Sequence, residues 1–193
     1  LDQSPSAAVA GSDQQVCGIT TGLTATIPLI GTGQWSFSPA NTGTGGNISD
    51  ANSATSVFTG TAGQVYILRW TVTSGVCTPP LSDDVVIQFD QSPSAAVAGV
   101  DQQVCGTSTT LNATSPAIGT GVWSFSPSNT GTGGNIDNTT QNNSSFTGTA
   151  GQTYTLRWTV TNGVCASVFD EVTIRLDQSP SAAVAGSDQQ VCG

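Results

Sequence analysis

The residues of this 193-residue chain best suited to covalent chemistry are its five cysteines, and their spacing is regular. Cys17 and Cys77 stand 60 positions apart, as do Cys105 and Cys165, and Cys192 follows at the phase of Cys17 and Cys105. The sequence holds no Cys-x-x-Cys pair and no histidine, so a zinc site built from closely spaced sulfur and nitrogen ligands is not indicated. Cysteines in fixed phase without a metal pattern point to disulfides formed in an oxidising compartment.

Other candidate chemistry resolves into plainer roles. Asp83-Asp84 and Asp170-Glu171 are adjacent carboxylates at equivalent places, as a glycosidase or a calcium site would need. Neighbours on a strand point to opposite faces, and calcium takes six to eight oxygens, so both pairs read as solvated strand starts. Asp13, Asp101 and Asp188 recur close to glycines and read as turn caps, with calcium between domains the outside option and no other cofactor implied. Trp35 and Trp70, with Trp123 and Trp158, alternate with polar residues, which favours a core over a sugar-stacking platform. Arg69 and Arg157 should make cross-strand ion pairs. Asn47, Asn112, Asn138 and Asn142 open Asn-x-Ser/Thr triplets, a pattern that arises easily by chance in so Ser/Thr-rich a chain.

Composition narrows the function classes. Lysine and histidine are absent, which removes the commonest general base, metal ligand and Schiff-base nucleophile, so no catalytic residue is assigned and an enzyme is not expected. Three arginines stand against twelve acids, a net charge of −9, which argues against nucleic acid and anionic membrane surfaces as partners. No apolar run approaches the roughly 20 residues of a spanning helix, so membrane insertion is not expected. With no methionine, Leu1 reads as the start of a processed or excised piece. Ser and Thr fill 52 positions, giving a neutral exterior that offers few tryptic sites.

Internal repeats organise these residues. The segment Leu1–Gly18 returns at Phe89–Gly106 with two changes and at Leu176–Gly193 with none. Gly33-Gln-Trp-Ser-Phe-Ser-Pro39 is answered by Gly121-Val-Trp-Ser-Phe-Ser-Pro127, and Tyr66–Thr73 by Tyr154–Thr161. This predicts a first domain over 1–88, a second over 89–175, and the first strand of a third over 176–193. The repeats differ in length by one residue, between Cys77 and Val85, which predicts a loop there.

Within a repeat the apolar period is two. Tyr66, Leu68, Trp70 and Val72 should share the buried face of one strand, and Trp35 with Phe37 that of another, leaving Gln34, Ser36 and Ser38 outside. Leu23 and Ala25, Val57 and Phe58, and Val85, Ile87 and Phe89 supply the remaining inward positions. Gly-marked turns separate about seven short strands per repeat, which predicts an all-β sandwich of two antiparallel sheets burying one Tyr, two Trp and two Phe.

Pro5-Ser-Ala-Ala-Val-Ala-Gly-Ser-Asp13, the Trp35-Ser-Phe37 strand and the strand Tyr66–Thr73 resemble PKD-type immunoglobulin-like domains, with Ser-Pro where that family usually has a Gly-Asp-Gly turn. The Val-Cys-Gly and Gly-Val-Cys segments are similar to those of tandem modules in large secreted surface proteins of Bacteroidota, adhesins or filaments commonly exported by the type IX system. The resemblance covers the entire chain. It implies tandem immunoglobulin-like (PKD-like) β-sandwiches in a linear array, outside the cell or at its surface.

In the topology that the resemblance implies, Cys77 and Cys165 lie beyond the end of the penultimate strand, whereas Cys17 and Cys105 follow the first strand at the opposite pole. A strand of about eight to ten residues spans roughly 30 Å, and bridged Cα atoms lie within about 7 Å. The pairs within each repeat, Cys17–Cys77 and Cys105–Cys165, therefore compete with an inter-repeat pair, Cys17–Cys165, which is slightly favoured. In that alternative Cys105 and Cys192 bridge to later repeats and Cys77 to an earlier one. The functional expectation is a structural segment of an extracellular stalk, filament or adhesin, its partners being adjacent identical repeats and self-assembly into a fibre. The alternative is a module that binds glycans or a host surface through the loops Asn41–Asp50 and Asn129–Asn143.

Overall fold

In a computed structural model the chain is described over residues 3–75 and 77–192, all strand, turn and loop. Two compact units divide it: Leu1–Ala95 with Pro116–Thr120 and Val160–Val168, and Ala96–Ser115 with Gly121–Thr159 and Phe169–Gly193.

Seven strands build the first sandwich: β1 (Gln14–Cys17), β2 (Thr20–Gly22), β3 (Thr32–Phe37), β4 (Asn47–Ile48), β5 (Val57–Thr59), β6 (Val65–Ser74) and β7 (Cys77–Asp90). One sheet runs β1-β7-β6-β3 and the other β2-β5-β4. β6 is central because its alternation fits the pleat: Tyr66, Leu68, Trp70 and Val72 are buried, while the residues between them are half-buried. Trp35 on β3 meets Trp70 with ring centroids 5.1 Å apart, and Phe58, Tyr66 and Phe89 form a second aromatic cluster. The Tyr66 hydroxyl accepts the Thr61 N–H and donates to the Thr44 carbonyl, satisfying its polar end inside the sandwich.

Seven further strands repeat the plan: β8 (Gln102–Cys105), β9 (Ser108–Thr110), β10 (Thr120–Phe125), β11 (Asn135–Ile136), β12 (Ser145–Thr147), β13 (Thr153–Thr161) and β14 (Val168–Asp177). Their sheets run β10-β13-β14-β8 and β11-β12-β9. Trp123 and Trp158 again lie 5.1 Å apart.

Several expectations are corrected. Phe37 and Phe125 are 40% and 39% exposed, because each closes an edge strand, and Ser38 and Ser126 are the buried residues there. Val57 is exposed beside buried Phe58, as alternation along β5 requires. The first sandwich buries Phe58 and Phe89; in the second, Leu176 takes the place of Phe89 and Phe146 is the buried Phe. The extra residue between Cys77 and Val85 falls in β7 rather than in a loop, since Leu81 to Val85 pair with Val72 to Leu68 of β6. Among the described residues 176–192 only Leu176 and Asp177 are in a strand, β14. In the first repeat the Gln-Gln-Val-Cys segment is a strand through parallel pairing with β7, and residues 189–192 have no such partner strand.

Candidate functional site

The parallel pairing of β1 with β7 sets Cys17 beside Asp90, the last residue of β7. The Gly18 N–H donates to the Asp90 carbonyl at 3.1 Å and fixes that register at its end. Asp90 is 6% exposed, an unusual place for a carboxylate, and both of its oxygens accept hydrogen bonds. Oδ1 accepts from Gln88 Nε2 at 2.8 Å, and Oδ2 accepts from Gln15 Nε2 and from the Val164 N–H, each at 2.7 Å.

Val164 belongs to the segment 160–168 of the same unit. After β13 the chain turns at Asn162–Cys165, closed by a Cys165 N–H to Asn162 carbonyl bond of 3.1 Å, with Gly163 at φ +52°. A side chain on Gly163 would overlap Asp90 Oδ2, so the glycine permits both the turn and the close approach of the carboxylate. Asn162 Nδ2 donates to the Gln91 carbonyl at 2.7 Å. The turn delivers Cys165, 8% exposed, to Cys17, and the two form a disulfide with Cα atoms 4.9 Å apart.

Neither Cys17–Cys77 nor Cys105–Cys165 forms. Cys17 pairs with Asp90 at one end of β7 and Cys77 opens the other, so the length of that strand, about 40 Å at 3.3 Å per residue, separates their backbones. The pairing of Cys77 itself lies outside the described residues. Cys105 and Cys192 are free and exposed.

The four hydrogen bonds to the Asp90 side chain and from Asn162 join residues 71 to 75 positions apart, or two in the case of Gln88. Asp90 therefore stays ionised well below the ordinary carboxylate range, chiefly because the Val164 N–H stabilises its charge, with Gln88 and Gln15 adding to this and burial opposing it. The sequence reading missed Asp90 and Gln15. Their signal was present in the recurrence of Asp-Gln and Gln-Gln-Val-Cys at one phase in each repeat.

The carboxylate pairs are only partly buried, Asp84 being exposed, and each carboxylate also has partners within the protein. Asp83 Oδ2 accepts the Ala10 N–H at 2.8 Å, and Asp170 does the same for Ala98. Asp84 makes a two-point pair with Arg69, at 2.7 and 2.9 Å, and also accepts from Ser38 Oγ. The Arg69 bond, and after it the Ser38 bond, depresses the Asp84 pKa. Glu171 takes Ser126 and Arg157 on one oxygen, Oε1, rather than on two, and the Arg157 guanidinium lies 3.8 Å over the Phe169 ring. Asp13 and Asp101 are not turn caps: they accept the Val86 and Thr173 N–H groups, tying the opening segment of each repeat to its last strand. Trp35, Trp70, Trp123 and Trp158 are all buried, with no ring face presented to a sugar. Among the described residues no three His, Cys, Asp or Glu side chains converge as a metal site, and no helix is long and apolar enough to cross a membrane.

Solved structures share this arrangement of sheets. Drosophila OTK extracellular domains 3–5 match at a TM-score of 0.58 and 12% identity, over 90% of this chain and 60% of that one. Sidekick-1 immunoglobulin domains 1–5 match at 0.57 and 11%, over 93% and 40%. Rst D1-D2 matches at 0.54 and 12%, over 92% and 100%. The fold is immunoglobulin-like. At these identities the likeness is one of fold alone, and the chain spans less than two thirds of the OTK and Sidekick-1 structures. No protein-family model matches the sequence, and no curated protein does.

An antibody-type domain carries its disulfide inside the sandwich, between sheets and against a Trp. Here the Trp35–Trp70 pair fills the interior, and the disulfide lies at the end of β1 and β7.

Proposed function

We propose that the chain is a structural segment of an extracellular stalk, filament or adhesin, whose work is length and mechanical continuity. The supporting observation is the Cys17–Cys165 bond, which spans 148 positions. Tension applied through the backbone enters at Cys17 and leaves at Cys165 across one covalent bond, so residues 18–164 are relieved of it. The disulfide supports a location in an oxidising, extracellular setting. The resemblance of the Val-Cys-Gly and Gly-Val-Cys segments to those of tandem modules in large secreted surface proteins of Bacteroidota supports a cell-surface protein exported by the type IX route.

Single-molecule pulling tests this. The oxidised chain should show almost no extension from residues 18–164, whereas after reduction it should lengthen by roughly 500 Å at about 3.4 Å per residue. Equal contour lengths in the two states would overturn the reading.

The glycan- or host-surface-binding alternative draws less support from the loops. Asn41 donates to the Gly43 carbonyl and accepts the Ile67 N–H, and Asn129 does the same with Gly131 and Thr155, so these amides serve their own backbone. Saturable binding on a glycan array would favour that alternative.

A further inference from the structure

The second unit holds the Cys17–Asp90 half of the disulfide site a second time. β8 pairs in parallel with β14, setting Cys105 beside Asp177 as Cys17 stands beside Asp90. The Gly106 N–H donates to the Asp177 carbonyl at 3.0 Å, against 3.1 Å for Gly18 and Asp90, and the two glycines have φ of 117° and 119°. Gln103 Nε2 donates to Asp177 Oδ2, as Gln15 does to Asp90 Oδ2. Arg175 Nε donates to Asp177 Oδ1, where Gln88 serves Asp90. Cys105 Sγ lies 3.5 Å from Ser179 Oγ, and Cys17 Sγ lies 3.9 Å from Ser92 Oγ.

The sites differ in what they hold. In the first, Asp90 Oδ2 takes a second donor, the Val164 N–H, and Cys17 is bonded to Cys165. In the second, Asp177 Oδ2 takes Gln103, and the Cys105 thiol is free and exposed. The first site therefore shows what the second is shaped to receive, an Asn-Gly-Val-Cys turn. The chain carries one more sequence of that type, Ser74-Gly75-Val76-Cys77, and Gly75 has a φ of 50°, matching the 52° of Gly163.

We propose that Cys105, Gln103 and Asp177 form a docking site for the Gly-Val-Cys turn of another repeat of this type, with Asp177 aligning the turn and Cys105 then bonding its cysteine. In a solution of this chain alone the occupant is Ser74–Cys77 of a second copy. The inference rests on the structural reading above and names its partner. Bond formation is a two-electron oxidation for which a low-molecular-weight disulfide is the acceptor. The Cys105 thiol and the cysteine thiol of the incoming turn become one S–S bond, and the acceptor leaves as two thiols that carry the protons. Loops closed in this way overlap, because Cys105 lies inside the stretch closed by Cys17–Cys165. Successive repeats would thus be linked by two covalent paths.

The test mixes two versions of the full chain, both C192S, in a glutathione redox buffer. The acceptor carries C77S and the donor C105S, and products are mapped as peptides by mass spectrometry without reduction. The expected product is a heterodimer joined Cys105–Cys77, formed on the order of tenfold more slowly with a D177A acceptor, the worth of one hydrogen bond to a charged group. Should D177A fail to fold, a donor carrying Gly75→Ala must show the same slowing. Absence of the heterodimer, or a rate unaffected by the variant, overturns the proposal. The same map separates the two readings. Loss of the Cys17–Cys165 peptide from the unmodified chain removes the mechanical function, whereas its presence without Cys105–Cys77 removes this inference alone.

Discussion

The carboxylate of Asp90 accepts the backbone N–H of Val164 at 2.7 Å, one residue before the cysteine that bonds Cys17. A charged acceptor and a disulfide thus hold the same turn from adjacent positions. Because Asp90 is ionised more readily folded than unfolded, its contribution is complete above the unfolded carboxylate pKa of about 3.9 and is lost as the pH falls through the depressed folded value. Thermal unfolding from pH 7 down to pH 2 should show Asp90→Asn less stable than the parent at neutral pH, with the gap closing in acid. A gap constant with pH would mean that the ionised carboxylate contributes nothing.

Removing the disulfide acts mainly on the unfolded chain. Closing a loop of this length lowers the unfolded chain's entropy by an amount worth roughly 5 kcal/mol, so the double variant C17S/C165S should lose about 3–5 kcal/mol in urea titrations. Cys105→Ser, which breaks no disulfide and keeps a hydroxyl facing Ser179, should stay within about 0.5 kcal/mol of the parent. Equal effects of the two would mean that the Cys17–Cys165 bond does not form in solution.

Strand faces were legible in the sequence wherever a strand is covered on one side along its whole length. Tyr66, Leu68, Trp70 and Val72 follow the period of two because β6 is flanked by β3 and β7. The period placed Phe37 on the inner face, where its ring meets Phe58, but the end of an edge strand leaves it 40% exposed; Val57 was misassigned because it was grouped with its neighbour Phe58, against the alternation that β5 obeys. The polar ties were not legible. Asp13 to Val86, Asp83 to Ala10 and Asp90 to Val164 join residues 73 or 74 positions apart, and only the sheet order brings them together. Recurrence at the repeat period was the one signal that marked those aspartates.

Gly163 makes a separable prediction. Alanine there adds the left-handed backbone cost of about 1–2 kcal/mol and drives a methyl into Asp90 Oδ2, displacing the carboxylate from Val164. Gly63, at φ +82°, carries the backbone cost with only an ordinary contact to Gln91. Gly163→Ala should therefore slow oxidative closure of Cys17–Cys165 in a glutathione buffer, while Gly63→Ala lowers stability and leaves that rate unchanged. Equal closure rates for the two variants would show that Asp90 does not guide the turn.

Close packing of glycine on tryptophan gives the last prediction. A Cβ on Gly121 would overlap the Trp158 indole, which is 1% exposed and tilted against Trp123, leaving little room to retreat. Overpacking of a filled core typically costs 1–3 kcal/mol, because side chains are forced off their rotamers or the backbone shifts. Gly121→Ala should lose about that much stability and alter the near-ultraviolet circular dichroism of the tryptophan pair. Gly22 has nothing within 4 Å of an added Cβ, and Gly22→Ala should leave stability within about 0.5 kcal/mol of the parent. If Gly121→Ala is equally silent, β10 can move away from β13, and the Trp123–Trp158 contact is not what sets the spacing of those strands.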